Sequence, residues 1–153
     1  RHAVFEQLPR LTAAASDAGC IGLDWEAGGD LGRDGRNRQF FSQFVLVIEN
    51  SRHPNYFTEK LLDALLSRCV PIYWGCPNIG DFFDPGGIIE VAGGADEIVG
   101  ACLQLQEGEY AARREAVARN FELATKYAGD FGQRLERALV GCLPPPAAAA
   151  AAA

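Results

Sequence analysis

The stretch ENSRHPNYFTEK, residues 49–60, concentrates polar side chains between two apolar runs. A helix that begins at TEK offers free backbone N–H groups, the positive end of a helix dipole and the ammonium of Lys60, which together suit a diphosphate. Glu59 can accept hydrogen bonds from the hydroxyls of a sugar or a ribose. These residue types therefore point to a site for a nucleotide sugar.

Two further side chains of this stretch fit the same site. Tyr56 can stack on a base or donate its hydroxyl, and Asn50 can donate or accept a hydrogen bond at the exit of the preceding strand. The stretch equally fits an ordinary helix start, with Thr58 as the cap, Glu59 next to the dipole and the asparagines as turn formers. The residue types alone leave both interpretations open.

The elements around this stretch alternate between strand and helix patterns. Three short apolar runs predict strands: FFSQFVLVIE at 40–49, VPIYW at 70–74 and GIIEV at 87–91. A helix is predicted from Thr58 to Arg68, and helical periodicity dominates from Ala95 onward. Such alternation indicates an open parallel sheet with crossover helices, and ligands of such sheets bind at the carboxyl ends of the strands. We expect five side chains of this unit to be largely buried: Leu61, Leu62, Leu65, Val70 and Ile72.

Composition and charge narrow the class of function. The 153 residues are 48% hydrophobic and carry a net charge of −6, which argues against a protein whose main partner is a nucleic acid or an anionic membrane. There is no Walker sequence and no GxGxxG, and GRDGRNR at 32–38 lacks the strand and helix that a phosphate loop needs. The five cysteines show no zinc-ligand spacing, so we expect mostly buried or unreactive thiols rather than a disulfide framework.

Residues 44–75, FVLVIENSRHPNYFTEKLLDALLSRCVPIYWG, resemble the donor-binding motif of the fucosyltransferases of glycosyltransferase family 10. In that motif a strand ending in EN(S/T) leads to Y-x-T-E-K, an apolar helix and then (I/V)P(I/V)-x-W/Y-G. The following PNIGDFFDPGGIIEV and the initial RHAVFEQL are similar to neighbouring family segments. The resemblance covers roughly residues 1–92, and the helical remainder is compatible with the family.

The resemblance implies roles for individual residues. It makes Arg1 and Lys60 the partners of the GDP phosphates, and it places Asn50, Tyr56 and Glu59 around the nucleotide and sugar of GDP-fucose. It implies a Rossmann-like sheet that forms the C-terminal half of a GT-B type enzyme, with the catalytic base in the other half, so the catalytic residue is unknown. No cofactor is expected, and no metal, because the loop has no DxD pair.

The expected partners are GDP-fucose, a glycan acceptor and an upstream acceptor-binding domain of the same polypeptide, without nucleic acid. Residues 1–143 are predicted to form the donor domain and 144–153 a low-complexity Pro/Ala tail. The chain lacks an initiator Met and is expected to be part of a longer protein, in which any membrane anchor lies upstream. The family's eukaryotic members work on the lumenal side of the Golgi membrane, the location we favour; bacterial members are cytoplasmic or peripheral to the membrane.

Two alternatives to a fucosyltransferase remain. One is a catalytically silent module that binds a sugar nucleotide, which the chain would be without its other half. The other is a related inverting glycosyltransferase that uses a different nucleotide-sugar donor.

Overall fold

The computed structural model describes residues 2–7, 9–10 and 42–129. Three strands form one sheet: β1 (Phe44–Ile48), β2 (Val70–Trp74) and β3 (Ile89–Glu90). In the described ranges the sheet is accompanied by the helices α1 (His2–Phe5), α2 (Glu59–Leu66), α3 (Ala95–Leu103), α4 (Glu109–Ala112) and α5 (Arg114–Thr125). None of the helices within these ranges is long and apolar enough to cross a membrane.

The sheet is parallel, in the order β1-β2-β3. Residue 48 at the end of β1 is paired with residue 74 at the end of β2, so the two strands finish at the same level. The prediction of an open parallel α/β layer is therefore confirmed. Between β2 and β3 the chain forms two short 3-10 turns, Ile79–Asp81 and Pro85–Gly87.

The core lies on both faces of the sheet. Helices α2 and α5 cover one face, where the buried leucines of α2 pack against β1 and β2, and helices α1 and α3 cover the other. All five side chains that we expected to be buried are at most 8% exposed. Each buried leucine of α2 contributes roughly 2 kcal/mol to folding through removal of apolar surface from water.

Several predicted boundaries are wrong by a few residues. The first strand begins at Phe44 rather than at residue 40, because Ser42 and Gln43 form a bend, and the third strand is only two residues long. One face of β1 is buried while the other is half-buried, so β1 is not covered completely on both faces as its apolar run suggested. Helix α2 ends at Leu66 instead of Arg68, because Arg68 adopts a positive φ of 59° that closes the helix.

The helical stretch 109–128, whose periodicity is continuous, is divided into α4 and α5 at Arg113. The Arg113 guanidinium donates to the backbone oxygen of Gly86 at 2.9 Å and to the carboxylate of Glu109 at 3.0 Å. The contact between Arg113 and Gly86 joins residues that are far apart in the chain, so the helical periodicity of the sequence does not predict it. The predicted final helix at 131–143 and the Pro/Ala tail at 144–153 lie outside the described residues.

Candidate functional site

The site forms where β1 ends and α2 begins. Glu49 follows the last residue of β1 and is only 2% exposed, although it is charged. Its carboxylate accepts two hydrogen bonds from Thr58, one from the backbone N–H and one from the hydroxyl, both at 2.8 Å. The buried carboxylate thus ties together the two ends of the loop that carries the predicted binding residues.

Thr58 is also the N-cap of α2, as the sequence predicted. Its backbone is extended, and its hydroxyl oxygen accepts from the backbone N–H of Lys60 at 3.4 Å. An N-cap hydroxyl satisfies one of the four N–H groups that a helix start leaves without an intrahelical partner. The N–H groups of Leu61 and Leu62 donate to the Thr58 backbone oxygen at 3.1 and 3.3 Å, and that of Glu59 donates to its own carboxylate, so the N–H groups that the sequence predicted to be free have partners here.

Lys60 places a positive charge at this helix start. Its ammonium donates to the Thr58 hydroxyl at 3.3 Å, and it lies 3.8 Å from the Glu49 carboxylate and 3.5 Å from that of Glu59. The Lys60 side chain is 33% exposed, so these contacts hold it while part of it remains accessible to solvent. An anion that approached the helix start would meet this charge together with the positive end of the helix dipole.

Glu59 occupies the first position of α2 and has a 73% exposed side chain. The hydrogen bond from its own backbone N–H is the main cause that lowers the pKa of its carboxyl group, and the charge of Lys60 lowers it further. Glu59 is therefore ionised at neutral pH and can accept hydrogen bonds from hydroxyl groups, the role that the sequence gave it.

The other predicted site residues occupy the same loop or lie outside the described part of the chain. Asn50 is exposed directly after Glu49, and Tyr56 is half-buried, with its backbone N–H donating to the oxygen of His53 at 3.3 Å. Arg1 lies outside the described residues. The structure therefore brings Asn50, Tyr56, Glu59 and Lys60 into one loop and helix start, and the proximity of Arg1 stays a prediction.

Two contacts hold the loop from the side. Asn55, which has a positive φ of 62°, exchanges two 2.8 Å hydrogen bonds with Asn78 in the loop after β2. The ring of Phe57 packs edge-on against those of Phe82, Phe83 and Tyr127, at 5.2 to 5.4 Å between centroids. The loop is thus fixed at its start, middle and end, which limits the ordering cost when a ligand binds.

The floor beneath Glu49 is formed by the end of β2. The Tyr73 side chain is buried, its hydroxyl accepts from the backbone N–H of Cys76 at 3.0 Å, and burial raises the pKa of this hydroxyl well above its usual range. Gly75 lies directly over it. A methyl group at Gly75 would come within 2.4 Å of the Tyr73 oxygen and 2.7 Å of Glu49 Cγ, so this position has no room for a side chain.

Two of the described cysteines are unsuited to chemistry at neutral pH. Burial raises the pKa of the Cys69 and Cys102 thiols to about 11. A thiol with so high a pKa is a poor nucleophile at neutral pH. Cys20 and Cys142 lie outside the described residues.

Sequence reasoning did not single out Glu49 or the pair formed by Tyr73 and Gly75. A signal for Glu49 was present, because it is a charged residue at the end of an almost unbroken apolar strand and precedes a helix cap by nine positions. No local signal marks Gly75 or Tyr73. Their contact with Glu49 depends on the pairing of β1 with β2.

Comparison with known proteins identifies the family of this chain. The profile of the glycosyltransferase family 10 (fucosyltransferase) C-terminal region matches residues 33–109, half of the chain. The chain is 41% identical over 64 residues to an alpha-(1,3)-fucosyltransferase of Helicobacter pylori, which covers 40% of this chain and 13% of that protein. It is 50% identical over 48 residues to an alpha-(1,4)-fucosyltransferase of Arabidopsis thaliana, which covers 31% of this chain and 12% of that protein.

A crystal structure of an alpha1,3-fucosyltransferase aligns with 73% of this chain and 34% of its own, with a TM-score of 0.49 and 24% sequence identity. The chain thus spans a small part of the curated relatives that it matches. The family profile includes the whole of β1, the polar loop, α2 and β2. This chain belongs to glycosyltransferase family 10, the fucosyltransferases, and contains part of their C-terminal region.

Proposed function

We propose that this chain is the donor-binding part of a fucosyltransferase that transfers fucose from GDP-fucose to a hydroxyl of a glycan, with inversion and in an α-1,3 linkage. The observation that carries the proposal is the position of the Lys60 ammonium, held at the N-terminus of α2 by Thr58 at the carboxyl end of a parallel strand. Membership of the family supports the choice of a sugar nucleotide as the ligand.

The site's chemistry suits the departure of a nucleoside diphosphate. When the bond between the sugar's anomeric carbon and the phosphate oxygen breaks, negative charge grows on the diphosphate. Lys60 and the positive end of the α2 dipole stabilise that charge, and Arg1 would add a second cation. Such stabilisation accelerates the reaction because it is stronger in the transition state than in the bound donor.

The other residues of the loop would recognise the rest of the donor. Glu59 is ionised and exposed, so it can accept from sugar hydroxyls, while Tyr56 and Asn50 can contact the base or the ribose. Discrimination of fucose from other sugars would come from polar groups that the wrong sugar leaves without partners. Competition by GDP-fucose, GDP-mannose and UDP-sugars against bound GDP measures this preference directly.

Replacement of Lys60 tests the proposal. Lys60→Ala should weaken GDP binding by about 2 kcal/mol, since a charge-assisted hydrogen bond to the diphosphate is lost. Isothermal titration calorimetry with GDP provides the measurement, and Arg114→Ala is the control because it removes an exposed cation at the start of α5. Equal GDP affinity in the Lys60 variant and the unmodified protein would exclude Lys60 from the site.

A second candidate function is a module that binds a sugar nucleotide without transferring the sugar. The observation that favours it is the small share of the relatives that this chain spans, 13% and 12% of their lengths. Both candidates require GDP binding at Lys60. They differ in whether transfer occurs once the chain is joined to the rest of its polypeptide.

A further inference from the structure

Glu49 is a buried carboxylate that has no direct role in the proposed binding of the donor. Its side chain has no exposed surface, so it contacts neither solvent nor an approaching acceptor. Burial of a charged group costs several kcal/mol unless hydrogen bonds and an opposite charge compensate it. The compensation here comes from Thr58 and Lys60, two residues at the helix start.

The polarity of these hydrogen bonds fixes the direction of the Thr58 hydroxyl. A hydroxyl has one proton to donate and two lone pairs to accept with. Because the proton is given to Glu49, the lone pairs face the backbone N–H and the ammonium of Lys60, at 3.4 and 3.3 Å. The carboxylate thus orients the ammonium through the hydroxyl, while a second side of the ammonium lies 3.5 Å from the exposed carboxylate of Glu59.

Glu49 is itself attached to the sheet. Its backbone N–H donates to the oxygen of Trp74 at 2.9 Å, which continues the pairing of β1 with β2 by one residue. Its Cγ lies against the position of Gly75. A continuous chain of contacts therefore runs from the most rigid element, the sheet, through Glu49 and Thr58 to Lys60.

We propose that Glu49 is a positioning residue for donor binding: through Thr58 it holds the Lys60 ammonium where the diphosphate of the donor is bound. This inference rests on the proposed function. Glu49 acts only through Lys60 and does not exchange a proton with the acceptor, since its carboxylate is enclosed.

Glu49→Gln tests this role with little change of shape. Thr58 donates to a different oxygen of Glu49 with its N–H and with its hydroxyl, and an amide replaces one of these two oxygens by an NH2 donor. In one orientation of the amide, the backbone N–H of Thr58 loses its acceptor. In the other, the Thr58 hydroxyl must accept from the amide NH2 group and turn its own proton toward Lys60, which offers only donors. We expect GDP affinity, measured by calorimetry, to fall about tenfold, the lower range for a hydrogen bond to a charged group.

A double-mutant cycle separates positioning from general support of the fold. If Glu49 acts through Lys60, Glu49→Gln should cause no more than about a twofold further loss of GDP affinity in the Lys60→Ala background, because coupled residues are not additive. Thr58→Val breaks the same chain of contacts from the other side and should show the same coupling. Asp84→Asn, which alters a capping carboxylate at a 3-10 turn, should leave GDP affinity unchanged in both backgrounds.

The outcomes are distinct. Equal losses from Glu49→Gln in both backgrounds, or no loss in the unmodified background, would overturn the positioning role while GDP binding at Lys60 stands. If Glu49→Gln does not fold, as judged by circular dichroism, the cycle with Thr58→Val decides by the same criterion. An unmodified protein that fails to bind GDP, or whose affinity is unaffected by Lys60→Ala, would overturn the proposed function and this inference with it.

Discussion

At the scale of single residues, Gly75 decides whether Glu49 can lie where it does. The glycine passes over the Tyr73 ring and against the aliphatic part of Glu49, at distances where no Cβ fits. The Tyr73 ring cannot easily move aside, because it is buried and its hydroxyl accepts from the backbone N–H of Cys76. The requirement for glycine here comes from close approach, and not from an unusual backbone angle.

Gly75→Ala should therefore destabilise the protein by about 1–3 kcal/mol, the range for forcing an extra carbon into a packed region. The matched control is Gly80→Ala, since a Cβ at Gly80 has no atom within 4 Å and should change the free energy of unfolding by less than about 0.5 kcal/mol. Urea denaturation of the two variants gives both values. Equal free energies of unfolding for the two variants would show that the residues around Gly75 move to make room for the added methyl group.

At the scale of elements, the start of α2 contributes both to the stability of the fold and to the proposed binding of the donor. Thr58 caps the helix, satisfies the buried carboxylate of Glu49 and accepts from Lys60. The leucine face of α2 is packed on the sheet, so the helix end that faces the ligand is supported by the core. Preorganisation of this kind lowers the ordering cost of binding.

The hydroxyl of Thr58 should contribute more to the free energy of unfolding than an ordinary helix cap does. Thr58→Ala is expected to cost at least about 2 kcal/mol, the upper range for loss of a cap, because a buried carboxylate oxygen of Glu49 also loses its partner. Thr58→Ser keeps the hydroxyl and should retain most of that stability. Thermal and urea unfolding of the pair provide the test, and a similar loss in both variants would assign the effect to the missing methyl group instead.

At the scale of the whole molecule, the described residues are proposed to supply groups for the departing diphosphate. An inverting transfer also needs a base that removes the proton of the acceptor hydroxyl as it attacks the anomeric carbon. Glu49 is enclosed, and Glu59, with its lowered pKa, is a weak base. Neither of these two carboxylates is suited to that role, and the location of the base in the other half of the enzyme stays a prediction from the family resemblance.

The 153-residue chain is accordingly expected to bind GDP but to transfer no fucose at an appreciable rate, whereas the same residues within the complete gene product transfer it. A transfer assay with GDP-fucose and an N-acetyllactosamine acceptor, run on both proteins, makes the comparison, and calorimetry confirms that both bind GDP. Robust turnover by the chain alone would contradict this prediction. The base would then have to be sought within it, with Asp63 a first candidate because burial raises the pKa of its carboxyl group.

Local patterns in the sequence determined the order of strands and helices, the capped helix start at TEK and the leucines that α2 buries. These features depend on neighbours within a few positions, so a periodicity or a cap reveals them. The residues of the polar loop could also be predicted as a binding site, because cation, hydroxyl acceptor and helix start are adjacent in sequence.

Only the tertiary structure decided how that site is supported. The burial of Glu49 depends on Thr58, nine positions away, and Arg113 contacts Gly86, 27 positions away. The need for glycine at 75 comes from Tyr73, two positions away, and from Glu49 at the end of the neighbouring strand. The parallel register of β1 and β2 brings residue 49 beside residue 75, and no local pattern encodes a register. Sequence thus predicted the groups that would face the donor, and the packing of distant segments fixed the groups that hold them.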